Sequence, residues 1–121
     1  MPSTQKHLSQ VAENEAFLAS AFSPSDQPRW RVVVSFYVAV HLLDAFLARV
    51  SCPDPRDHSQ RFDMLRCLLR TKIVPPSVYD AYCEMYDASV DARYRCIPIA
   101  GARADRVETV LLAKLRTWVG P

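Results

Sequence analysis

The chain has 121 residues, 50% of them hydrophobic and 23% charged, with a net charge of +2. That length fits one compact domain spanning residues 1–121, large enough to build a core without metal or disulfide support. The 15 basic residues are interspersed with 13 acidic ones, which excludes the dense basic footprint of a dedicated nucleic-acid binder but leaves room for a local patch.

Two glycines and nine prolines suit long helices whose joints hold the prolines. Apolar spacing is helical throughout, and the expected fold is an all-α, up-and-down bundle of about five helices. The first helix runs from about Gln5 to Phe22, with Leu8, Val11, Ala12, Glu15, Leu18 and Ala19 near one face. A loop from Ser23 leads to Pro28, which opens a helix from about Arg29 to Val50. This second helix is apolar nearly all round and should lie at the centre. Pro53 and Pro55 force an extended break, after which Asp57 caps a third helix reaching Arg70, with Phe62, Leu65, Leu68 and Leu69 inward. Pro75 and Pro76 start a fourth helix ending near Arg95. Ile97 to Gly101 separates it from a fifth, Ala102 to Trp118, which should bury Val107, Val110, Leu111, Ala113, Leu115 and Trp118.

No apolar run is expected to reach the roughly 18 residues of a membrane span, and no secretory signal is visible. The cysteines, at 52, 67, 83 and 96, form no metal-binding spacing. These features give an expected cytoplasmic protein with reduced thiols, no metal, no cofactor and no membrane partner.

Polar residues interrupt the apolar pattern at definite places. Tyr37, His41 and Asp44 fall within about 60° of one another on the second helix. Ser89 and Arg93 lie four apart on the inward face of the fourth, whereas Asp91 points outward. A buried carboxylate needs a cation, and a buried guanidinium needs an acid or a phosphate. The expected closure is therefore Arg93 with Asp44, with Tyr37, His41 and Ser89 completing a polar seam. His58 and Arg61, three apart at the start of the third helix, share a face and could look into the same cleft. Tyr79, Tyr82 and Tyr86 are expected as packing residues, and Trp30 and Trp118 fit core or interface equally well.

Three segments together, Phe36-Tyr37-x-Ala39-x-His41-x-x-Asp44-Ala45, His58-x-x-Arg61 and Tyr86-Asp87-x-Ser89-x-x-Ala92-Arg93-Tyr94, resemble small bacterial proteins of the HEPN superfamily. The similarity covers roughly Lys6 to Leu115. It implies a helical bundle, usually a homodimer, in toxin–antitoxin, abortive-infection or other defence systems. Many members are metal-independent ribonucleases, and others bind nucleotides, nucleic acid or protein partners such as an antitoxin. The ribonucleases use an Arg followed four to six residues later by a His. In this chain Pro98, Ile99 and Ala100 stand where that His would follow Arg93. The resemblance therefore implies a non-catalytic binding module, with Arg61, Arg93 and His58 on phosphate and Tyr37 and Tyr94 in polar or stacking contacts. Its alternative is a divergent ribonuclease in which His41 or His58 moves the proton and Arg93 neutralises the phosphate.

Overall fold

In the computed structural model, residues 3–21 and 27–120 are described, and no strand occurs among them. Five helices form an up-and-down bundle: α1 (Thr4–Ala21), α2 (Pro28–Arg49), α3 (His58–Arg70), α4 (Pro76–Arg93) and a fifth helix in three consecutive stretches. Those stretches are α5 (Gly101–Asp105), a π-helical segment (Arg106–Leu111) and α6 (Leu112–Val119). The expected ends of the first helix at Phe22 and of its loop at Ser23 lie outside the described residues. The fourth helix ends two residues before the expected Arg95.

Proline chemistry sets the starts. Pro28 and Pro76 occupy the first turns of α2 and α4, where a missing backbone N–H costs nothing. Asp57 caps α3 by accepting a hydrogen bond from the Gln60 backbone N–H at 2.8 Å. With so few glycines, other residues must turn the chain. Ser51, Lys72 and Cys96 take the left-handed conformation just beyond α2, α3 and α4. After α2 and α3 the next amide N–H closes back five residues, Cys52 to the Leu47 carbonyl at 2.9 Å and Ile73 to Leu68 at 2.9 Å. This is the Schellman arrangement that satisfies the last carbonyls of a helix.

Helix α2 is the axis: α1, α4, α5, the π segment and α6 all pack on it. Val32, Phe36, Val38, Ala39, Leu42, Leu43, Ala45 and Leu47 are buried, and each large side chain removed from water there contributes about 1.5–3 kcal/mol. Contrary to the sequence expectation, α2 is long and apolar enough, by length and composition, to cross a membrane; 72% of its most apolar window is instead covered by neighbouring helices. Val11 and Leu18 bury the face of α1, whereas Ala12 and Ala19 are exposed. On the fifth helix Val107, Leu111, Leu115 and Val119 are buried, but Val110 and Ala113 face out. Trp118 packs on Phe46 with ring centres 4.5 Å apart, and Trp30 is exposed. Tyr82 is fully buried and Tyr79 and Tyr86 half-buried, packed with Phe36 and Phe62 as expected of packing residues.

One buried guanidinium was not foreseen. Arg31, on α2, bonds Asp105 at 2.8 Å and Glu108 at 2.7 Å, pinning α2 to the fifth helix. Asp91, expected to face outward, is mostly covered: Arg95 and Arg103 bond its two oxygens at 2.9 and 2.8 Å. Those guanidinium groups, Arg103 first, hold its carboxyl below the usual range.

Candidate functional site

The expected pairing of Asp44 with Arg93 does not form. Asp44 instead binds Arg61, which donates from Nε to Oδ1 at 2.7 Å and from Nη2 to Oδ2 at 2.9 Å. Both residues are buried, 4% and 6% exposed. Burial works against the charge on Arg61, and the hydrogen bonds and charge of Asp44 outweigh it, so its pKa is raised. The reason Arg93 misses is axial height. Periodicity gives the direction of a side chain around a helix but not its level along it. Arg93, in the last turn of α4, reaches Tyr37; Asp44 lies seven residues further along α2, about 10 Å away at 1.5 Å per residue.

His58 joins the Asp44–Arg61 pair. Arg61 Nη1 lies 3.0 Å from His58 Nδ1 and can only donate, so His58 accepts there and carries its proton on Nε2. Burial first, then the charges of Arg61 and Arg93, lower its pKa from the ordinary 6.5. Its ring rests on Phe36 and Tyr86, both with centres 5.6 Å away.

His41 faces a partner the sequence reading did not name. His7 on α1 is buried; its Nδ1 lies 3.0 Å from His41 Nδ1, and its Nε2 lies 3.0 Å from Asp54 Oδ1. The pKa of His41 is lowered, by burial first and then by His7. The spacing of His7 with Val11 and Leu18, at i, i+4 and i+11, places it on the buried face of α1. That signal was legible once Val11 and Leu18 were assigned to the core.

Arg93 is half-exposed and wrapped in aromatic rings. Its Nη1 donates to the Tyr37 hydroxyl at 3.0 Å and to the Tyr94 hydroxyl at 3.4 Å, and Nε reaches the Ser89 carbonyl at 3.4 Å. The guanidinium carbon lies 4.8 Å from the centre of the Tyr94 ring, 5.5 Å from Tyr37 and 5.9 Å from Phe36. The Ser89 side chain takes no part in the seam: it is fully buried, and its hydroxyl finds no partner among the described residues.

Beside Arg93 opens a cavity of about 540 Å³ lined by Arg29, Trp30, Val33, Tyr37 and Ala92. Arg29 donates to the carbonyls of Ala92 and Ile97. Neither Arg29 nor Arg93 has a carboxylate partner among the described residues. By contrast Arg31, Arg61, Arg95, Arg103, Arg106 and Arg116 all do. Trp30 is 54% exposed and Tyr94 70% exposed. A larger cavity of about 610 Å³, between the start of α1 and the end of α2, has no charged side chain in its wall. Of the expected site residues, Tyr37, Arg93 and Tyr94 thus meet at one opening, with Arg29 and Trp30 added. His58, Arg61 and Asp44 form a separate ion-paired cluster behind Phe36, and His41 belongs to a third with His7 and Asp54.

No protein-family model, curated protein or solved structure matches the chain.

Proposed function

We propose that this chain is a HEPN-like, non-catalytic binding module that takes a nucleotide, or a nucleotide of single-stranded RNA, in the cavity between Trp30 and Arg93. The observation that carries this reading is the pair of guanidinium groups without carboxylates, Arg29 and Arg93, set among exposed aromatic rings. A phosphate would answer both cations, and a base would stack on Trp30, Tyr37 or Tyr94, at about 1–3 kcal/mol per stacked base. His58 and Arg61, expected on the phosphate, are committed to Asp44 and would act on the ligand only through Phe36 and Arg93. The resemblance extends the proposal to a homodimer in a cytoplasmic defence or toxin–antitoxin system, with an antitoxin-like protein as a further partner.

The alternative is a divergent ribonuclease in which His58, the imidazole that feels the charge of Arg93, moves the proton. One experiment separates the two. Purified protein is titrated with a nucleoside monophosphate and a short labelled RNA, following tryptophan fluorescence and RNA integrity. Binding should be salt-dependent, at least tenfold weaker in Arg93→Ala and Arg29→Ala, and accompanied by no cleavage. Arg93→Lys, which keeps the charge but not the planar fork, should lose an intermediate amount. Cleavage abolished by His58→Ala would establish the alternative, and absence of binding at low salt would end the proposal.

A further inference from the structure

His7, Asp44 and Asp54 come from three separated parts of the chain: α1, α2 and the joint before α3. One ligating atom from each lies within 4.8 Å of the other two. His7 and Asp44 are buried, and the Asp54 side chain is 24% exposed. Two carboxylates are thereby brought together with one cation, Arg61, which is bonded to Asp44 alone. Asp54 has His7 as its only ion-pair partner among the described residues.

We propose that these three side chains bind one divalent transition-metal ion of the zinc class. The ligating nitrogen is His7 Nε2, the atom that faces Asp54 Oδ1 at 3.0 Å. The other ring nitrogen then carries the proton and donates it to His41 Nδ1 at 3.0 Å. A ligating imidazole held through its second nitrogen is the usual outer support of a protein-bound metal, and it makes His41 a positioning residue. Asp44 remains able to ligate although Arg61 holds it, because each carboxylate oxygen has two lone pairs and Arg61 uses one on each. Ligand atoms at most 4.8 Å apart need to draw in by well under about 1 Å each to reach metal–ligand distances near 2.1 Å. One imidazole with two carboxylates suits a borderline ion, whereas magnesium and calcium favour all-oxygen shells. Three protein ligands leave a fourth position for water.

The ion would do what no helix contact does. Among the helices, α1 packs on α2, and the ion would also tie it to the joint that leads into α3.

The test uses the full chain, stripped of metal with a chelator and titrated with zinc by calorimetry and by thermal unfolding. Cobalt serves as an optical probe of the ligand set. The expected result is one ion per chain, a raised melting temperature, and visible cobalt bands of nitrogen and oxygen ligation. Affinity should fall at least tenfold in His7→Gln and in Asp54→Asn, and about tenfold in His41→Gln. Asp54 sits in a joint and is partly exposed, so Asp54→Asn decides the matter even if His7→Gln fails to fold. No uptake overturns the proposal, as does uptake unchanged in Asp54→Asn. An intense sulfur-to-cobalt band, which would place the ion on the cysteines, or magnesium bound as tightly as zinc, overturns it as well.

Discussion

Arg61 holds Asp44 by two hydrogen bonds, of 2.7 and 2.9 Å, across the gap between α3 and α2. Helix α3 lies against α4, and its attachment to α2 runs through this pair and the contact of His58 with Phe36. Removing one partner strands a buried charge. Asp44→Leu or Arg61→Met alone should therefore cost about 3–5 kcal/mol. The double variant, apolar on both sides, should recover most of that loss. Urea unfolding in chelator-treated buffer measures all three, and a double variant no more stable than either single one would contradict the assignment.

His58 supplies a pH dependence whose sign follows from its neutral state. Its folded pKa lies below the ordinary 6.5, so the unfolded chain binds the proton more readily. The stability it contributes is complete above about pH 6.5 and is lost as pH falls through the folded pKa. Unfolding midpoints of the native chain should decline between pH 7 and pH 5, and His58→Gln should flatten that slope. His41, lowered in the same direction, accounts for a remaining slope in the variant.

Lys72 turns the chain out of α3 with φ of 63°, a conformation that crowds any Cβ. The side chain is exposed, and its backbone N–H closes on the Leu69 carbonyl at 3.1 Å. Lys72→Gly should stabilise the protein by up to about 1 kcal/mol, the gain in the folded state exceeding the added freedom of the unfolded chain. Thermal unfolding would show it, and a lower melting temperature would contradict it.

The Ser89 hydroxyl is buried without a partner among the described residues. Ser89→Ala removes an unanswered polar group and leaves the methylene packing in place, so stability should hold or rise by about 1 kcal/mol. If Ser89 instead belonged to the phosphate site, the same variant would weaken ligand binding, which titration would reveal.

The helices were legible because period and punctuation agree: prolines at the starts of α2 and α4, Asp57 at the cap of α3, apolar stripes between them. The direction of each polar side chain around its helix was also mostly legible, and Tyr37, His41 and Asp44 do share one stripe. What the spacing could not supply was level along the axis. Two helices can present matching faces while their charged residues stand a turn or two apart, and so Asp44 took Arg61 rather than Arg93. Asp91 failed for another reason, since a residue that is outward in its own helix was covered by arginines from beyond it. His7 was passed over because one histidine in a polar first turn carries no signal until its neighbours on the face are known to be buried.

The π-helical stretch from Arg106 to Leu111 bears on all substitutions in the last helix. Buried residues 107, 111, 115 and 119 recur every four positions, a step that runs ahead of an α-helix by about 40° each time. One wider turn absorbs that advance and returns the stripe to phase. The segment thus works as a compensator of pitch, and its tolerance is for changes of side chain rather than of length. Deleting Thr109 would rotate everything after it by about 100°, swinging Leu115 and Val119 off the central helix and turning charged side chains towards the oil.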